Sequence, residues 1–213
     1  LEESVALRLA VLEESVALLN ALAGNIVIVY NRARTGSSSL EIMLQLLGYN
    51  TINVDPGRAE EHSYTSVYEQ ILANIADGKR FTEKIPIRYD AFIMGEHLST
   101  KEDILKLKSD FKNIKFILCD RDHDSWVISM KNHQLVAGRP NPRRQELIEV
   151  FVSWKKEITD TLKTGNNFMT LNVGSADKMT MVCSFLQKKE PEDSYPHIST
   201  NEKLTLTREQ IAH

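Results

Sequence analysis

Apolar residues recur along the chain in two rhythms, one suited to buried strands and one to helices packed on them. Asn25-Ile-Val-Ile-Val-Tyr30 is an unbroken, β-branched run, the pattern of a parallel strand buried on both faces. After a polar turn from Asn31 to Ser39, Leu40, Met43, Leu44 and Leu47 fall at helical spacing until Gly48 closes the pattern. Tyr64 to Ala76 predicts a second helix, ended by Asp77-Gly78. Arg80 to Ile87 and Ala91 to Glu96 are short extended candidates, with Pro86 interrupting between them. Lys101 to Lys108 predicts a helix capped by Ser99 or Thr100, and Lys115 to Asp120 a further buried strand.

Helical patterns follow over Asp124 to Val136 and Arg143 to Leu162, parted by the breaker-rich Gly138-Arg-Pro-Asn-Pro142. Phe168 to Val173 reads as a strand and Ala176 to Leu186 as a closing helix. The order implies an α/β fold with a central parallel sheet and helices on both faces. Ahead of it, Leu1 to Leu7 and Leu12 to Leu18 are near-duplicates eleven residues apart, which keeps one helical face in phase. The expected organisation is an amphipathic helix over residues 1–23, packing on the domain or forming a homo-oligomer, followed by one α/β domain over 24–213.

With 213 residues and 42% hydrophobic content the chain can bury a core without disulfides or metals. A formal charge of −3 argues against a general nucleic-acid or anionic-membrane surface, so any anion site must come from local placement of Arg and Lys. Cys119 and Cys183 both sit in apolar patterns and read as core residues. His62, His133 and His197 share no ligand spacing, and HExxH is absent, so no metal is expected. His213 reads as a tag remnant. No run of eighteen apolar residues occurs, so no transmembrane segment is expected. The expected localisation is cytoplasmic or otherwise soluble, with the Golgi lumen as the alternative where an anchor has been removed.

The loop Asn31 to Ser39 joins a buried strand to a helix N-terminus, where unpaired N–H groups and the helix dipole favour a phosphate. Arg34 adds a permanent charge, Gly36 permits close backbone approach, and Thr35, Ser37 and Ser38 offer hydroxyls. The Walker pattern GxxxxGK[ST] is missing, which argues against ATPase and GTPase chemistry. Directly after the strand ending at Asp120 come Arg121 and, eight residues later, Ser129, which can point toward one anion.

Val29-Tyr-Asn-Arg-Ala-Arg-Thr-Gly-Ser-Ser-Ser39 resembles the 5′-phosphosulfate loop of sulfotransferases, and its Tyr-Asn-Arg is similar to the uronyl and heparan 2-O-sulfotransferase branch. The family's loop lysine is matched by Arg34, and the proline before it is missing. Phe116 to Ser129 resembles the family's strand–Arg-Asp-Pro–helix segment, with His123 in the proline's place. Phe168 to Val173, Met181 to Leu186 and Tyr195 to Asn201 resemble its C-terminal elements in the same order. The resemblance implies a donor, 3′-phosphoadenosine 5′-phosphosulfate (PAPS), with PAP as product. It implies that Arg34, Thr35, Gly36, Ser37, Ser38 and Ser39 receive the 5′-phosphosulfate and that Arg121 and Ser129 hold the 3′-phosphate. Lys203 would reach the donor's phosphate or adenosine.

Sulfuryl transfer needs a base within reach of the acceptor's proton. His97 is the first candidate, because imidazole is poised near neutrality and Phe92 to Ser99 resembles the base-bearing strand end of 2-O-sulfotransferases, with Glu96 as an orienting carboxylate. Glu83 is the rival, in Thr82-Glu-Lys-Ile-Pro86, which resembles the Glu-Lys-x-Pro segment of 3-O- and N-sulfotransferases. The basic turn Gly138 to Arg144 would attract an anionic glycan bearing the accepting hydroxyl, or is simply a solvated loop. The alternatives to a sulfotransferase are a small-molecule kinase and a catalytically silent nucleotide-binding or assembly module, the latter motivated by Arg34 and the N-terminal repeat.

Overall fold

The structure, a computed structural model, describes residues 26–54, 65–85, 89–136, 143–163 and 165–192. The N-terminal repeat, most of the basic turn, His62, Tyr195 to Asn201, Lys203 and His213 lie outside the described residues. The elements are β1 (Ile26–Tyr30), α1 (Ser37–Leu46), β2 (Thr51–Asn53), α2 (Thr65–Ala76), β3 (Ala91–Gly95) and α3 (Lys101–Asp110). They continue with β4 (Ile114–Asp120), α4 (His123–Val136), α5 (Arg144–Leu162), β5 (Phe168–Asn172) and α6 (Lys178–Leu186). The strands form one sheet in the order β2-β3-β1-β4-β5, every neighbouring pair parallel.

Alternation along the strands divides the core into two layers. Ile28 and Tyr30 of β1 and Phe116 and Leu118 of β4 face one side, where Ile71 of α2, Ile104 and Leu107 of α3, and Ile158 and Leu162 of α5 cover them. Val27 and Val29, with Ile117 and Cys119, face the other side beneath Leu40, Met43 and Leu44 of α1 and Val182 and Leu186 of α6. Burial on both faces is why these strands read as continuous apolar runs rather than as alternating ones. The layering also sets the site: the chain leaving β1 goes to one face of the sheet, while the chains leaving its neighbours β3 and β4 go to the other. Such divergence opens a crevice at the carboxyl edge of a parallel sheet.

Two sequence expectations change. The described part of the Arg80 to Ile87 candidate is not extended: residues 81–85 turn tightly, with Phe81 fully buried, and Asn74 Nδ2 donates to the carbonyls of Phe81 and Glu83 at 3.0 and 2.6 Å. A buried aromatic flanked by polar residues imitates strand alternation over so short a span. The edge strand β2 escaped notice because three residues are too few to show a period. Thr100 is the cap of α3, its hydroxyl accepting from Asp103 N–H while the Asp103 carboxylate accepts from Thr100 N–H.

Phe116 is fully buried under the site and stacks on Tyr30 with centroids 6.2 Å apart. Phe116→Ala is expected to cost about 3–5 kcal/mol, read as a lower denaturation midpoint at unchanged slope in urea titration.

Candidate functional site

The loops that follow β1, β3 and β4 meet at the carboxyl edge of the sheet. In the first, Thr35 is fully buried, and both its hydroxyl and its N–H donate to the Arg32 carbonyl, at 2.7 and 3.1 Å. Thr35 therefore shapes the loop from within, whereas the sequence reading had it offering its hydroxyl outward. Arg34 and Gly36 take left-handed backbone angles, φ 71° and 81°. At Gly36 a side chain would also crowd Val173, whose Cβ would stand 3.2 Å from an added Cβ. Gly36 is the N-cap of α1 and supplies no side-chain cap, and the helix's first turn, which includes Ser37, Ser38 and Ser39, carries no acidic residue. The positive end of the helix is thus not neutralised from within its own first turn.

The loop after β4 is bonded directly to this one. Arg121 Nη1 donates to the Arg34 carbonyl at 3.0 Å, Arg121 Nε to Ser125 Oγ at 3.2 Å, and Trp126 Nε1 to the Ala33 carbonyl at 2.9 Å. In return Arg34 Nε donates to Ser129 Oγ at 3.1 Å. Of the carboxylates beside Arg121 in sequence, Asp120 pairs with Lys155 and Asp124 with Arg144, while Asp122 accepts from the Ser125 N–H at 2.9 Å. Burial, and after it the charge of Arg34, hold the Arg121 guanidinium below its usual pKa, with Asp122 offsetting in part. Among the described residues neither Arg34 nor Arg121 forms an ion pair. Two fixed guanidinium groups at an open helix N-terminus, lacking carboxylate partners, fit a multiply charged anion.

The third loop carries His97. Gly95 (φ 65°) and Leu98 (φ 54°) are both left-handed and bracket it. Glu96 pairs with Arg32 rather than acting as an orienting partner for His97, Tyr30 Oη donates to the Leu98 carbonyl at 3.1 Å, and Ser99 Oγ donates to the Glu96 carbonyl at 2.8 Å. The His97 ring is half-buried and stands edge-on to Tyr68 at 5.7 Å.

Glu83 is not part of this assembly. It is exposed in the turn after α2, and its neighbour Phe81 accepts no strand partner but donates its N–H to Asp110 at the end of α3. Because α3 runs back from the carboxyl edge, that contact belongs to the edge where the strands begin. The rival candidate base is thereby separated from the loops after β1 and β4.

Sequence reasoning missed Arg32, Trp126, Trp154 and Lys155. The two tryptophans look like core positions of helices, and nothing in helical spacing announces that an indole N–H reaches a loop carbonyl. Arg32 lay inside the quoted motif, and its proximity to Arg34 was the available signal. Among the described residues no group of three His, Cys, Asp or Glu could hold a metal ion, and no helix is long and apolar enough to cross a membrane.

A parallel sheet whose first strand leads through a cationic loop into a helix without a side-chain cap, braced by an Arg from the loop after the neighbouring strand, defines an α/β fold that gathers two guanidinium groups at a helix N-terminus. The sulfotransferase domain family model matches residues 26–181, and the chain belongs to that family. The fold is similar to the sulfotransferase domain from the curacin biosynthetic pathway, at 15% identity and TM-score 0.50, over 79% of this chain and 75% of that one. It is also similar to the sulfotransferase domain of the Synechococcus PCC 7002 olefin synthase, at 14% identity and TM-score 0.52, over 88% and 82%. Among curated proteins no sequence matches the chain.

Tyr30 links the sheet to the third loop and supplies a pH handle. Burial, then the charge of Asp103, raise its phenol far above the ordinary value of 10.0. The folded state holds this proton more tightly than the unfolded one, so its contribution is complete below about pH 10 and declines as pH rises further. Tyr30→Phe is expected to cost about 1 kcal/mol at neutral pH through the lost Leu98 bond, and to make the alkaline loss of stability shallower. Denaturation midpoints measured from pH 7 to 11 check both parts.

Proposed function

We propose that this chain transfers the sulfuryl group of PAPS to a hydroxyl, with a carbohydrate as the first acceptor class, by in-line displacement. The observation that carries the reading is the pair of guanidinium groups, Arg34 and Arg121, bonded to one another's segments beside the open N-terminus of α1. Family membership supports sulfuryl transfer as the reaction class. The 2-O-sulfotransferase branch is supported by Tyr30-Asn31-Arg32 ahead of the loop and by His97 at the end of β3.

On this reading the N–H groups of the first turn of α1 and the loop around Gly36 receive the 5′-phosphosulfate. Arg121 and Ser129 receive the 3′-phosphate. The donor supplies a sulfuryl group whose bond to the 5′-phosphate oxygen breaks as the acceptor oxygen bonds to sulfur. Arg34 and the loop N–H groups stabilise the negative charge that builds on the departing phosphate. His97 takes the acceptor's proton as its oxygen attacks, which leaves PAP, a sulfate ester and an imidazolium that returns its proton to water. Arg34 keeps the loop's positive charge, so it acts by charge alone.

An anionic glycan draws less support from the basic turn than its composition implies. Arg143 pairs with Glu146 and Arg144 with Asp124, so those two positive charges are already matched locally. A panel of neutral and anionic glycans with small hydroxylated compounds, incubated with labelled PAPS, separates acceptor classes.

Calorimetry is expected to show binding of PAP in preference to ATP, and the reverse preference would overturn the donor assignment. Arg121→Ala is expected to weaken PAP binding by about tenfold to a hundredfold, as loss of a charge-assisted bond to phosphate should. His97→Ala is expected to lower kcat by about 10²–10⁴ while leaving the PAP dissociation constant within a few-fold. Glu83→Gln, on the opposite edge, is expected to leave both near the parent values.

A further inference from the structure

Arg32 belongs to two parts of the site at once. Its carbonyl accepts the Thr35 N–H and hydroxyl and so forms the first turn of the phosphate loop. Its side chain leaves that loop and ends at the His97 turn, where Nη2 pairs with Glu96. The guanidinium lies over the Trp154 ring at 5.7 Å, and Trp154 Nε1 donates to Ser99 Oγ at 3.1 Å, closing a circuit back to the same turn. Only 17% of the Arg32 side chain is exposed, and Nη1 is buried without a hydrogen-bond partner. A buried cation with one edge unsatisfied is held in position by its remaining contacts, here a carboxylate and an aromatic face.

The turn it meets needs such holding. Leu98 is a branched residue in the left-handed region, which persists only where surrounding bonds over-determine it. The pairing of β1 with β3 also slips at this point, where Tyr30 aligns with Gly95 after Val29 aligns with Ile93. Glu96, Leu98 and Ser99 are each bonded to a fixed partner, while among the described residues the His97 ring meets the edge of Tyr68. We infer that Arg32 is a positioning residue: its ion pair with Glu96 and its stacking on Trp154 fix the His97 imidazole relative to the phosphate loop. The inference rests on the reading of His97 as the base, and it adds a residue that acts through His97 rather than on the substrate.

The test combines kinetics with a direct view of the imidazole. In Arg32→Ala the carbonyl that shapes the loop is retained, so the PAP dissociation constant is expected to stay within about threefold. A misplacement of the base by about 1 Å corresponds to a kcat loss of about a hundredfold, with KM for the donor little changed. The His97 ring signal in the NMR spectrum, assigned by its disappearance in His97→Ala, is expected to shift or broaden without any substrate present. Arg32→Lys keeps the charge but not the planar fork, and is expected to recover only part of kcat. The reversed pair Arg32→Glu with Glu96→Arg is expected to exceed both of its single variants.

Should Arg32→Ala fail to fold, Glu96→Gln breaks the same pair from its more exposed side and carries the same expectations. An unmoved His97 signal with unchanged kcat overturns the inference, as does a kcat loss wholly matched by lost PAP binding. A harmless His97→Ala together with a His97 signal that moves in Arg32→Ala removes the base assignment and leaves the positioning contact standing.

Discussion

The bond from Arg121 to the Arg34 carbonyl holds two like charges in one place, and the site is organised around that constraint. Guanidinium groups repel, and burial of Arg121, then the charge of Arg34, hold its guanidinium below the usual pKa. The protein holds them with neutral partners: a carbonyl for Arg121 and a hydroxyl for Arg34. Of the nearby carboxylates, Asp120 is drawn off by Lys155 and Asp124 by Arg144, and Asp122 accepts from the Ser125 N–H. An arrangement that kept Asp120 or Asp124 on Arg121 would be electrostatically easier and would leave no place for an anion. The surplus of positive charge is therefore a property of how partners are distributed, and the chain's net charge of −3 gives no hint of it.

That distribution depends on the sheet. The loop after β1 and the loop after β4 approach because the two strands are adjacent and parallel in register from Ile26 opposite Ile114 to Tyr30 opposite Leu118. The third loop approaches on the other flank because β3 pairs with β1. Trp126, buried against Phe151, adds a fixed N–H to the Ala33 carbonyl, so the aromatic cluster under α4 and α5 also braces the loop after β1. Core packing and the loop geometry of the candidate site are thus connected by a few bonds between backbone carbonyls and side-chain N–H groups.

Much of this was legible in the sequence where one local rule dominated. Buried runs such as Ile26 to Tyr30 and helical spacings such as Leu40, Met43, Leu44 and Leu47 identify their elements because burial on two faces and on one stripe leave different periods. The loop after β1 was legible as a strand-to-helix connection because strand, glycine and helix N-terminus are consecutive. What the sequence concealed were relations between distant residues. Thr35 looks like an outward hydroxyl until the Arg32 carbonyl is seen behind it. Glu96 looks like a companion to His97 until Arg32 is seen to reach it from 64 positions earlier in the chain. Glu83 matches a local motif as well as His97 does, and only the direction of α3 separates them.

The replacement of the family's loop lysine by Arg34 has a consequence for how the proposed chemistry is divided. Lysine can stabilise charge and also yield a proton, whereas a guanidinium remains charged across the accessible pH range. With Arg34 in the loop, proton movement and charge stabilisation fall to different residues. On the proposed reading Arg34, Arg121 and the helix N-terminus act on the phosphate side, and the proton is handled at His97 alone. A division of this kind places a stricter demand on geometry, since the base cannot be assisted from the phosphate side if its turn drifts. The contacts that meet that turn, from Arg32, Tyr30 and Trp154, come from the loop after β1, from β1 itself and from α5, so on the proposed reading three separate elements constrain the orientation of the base.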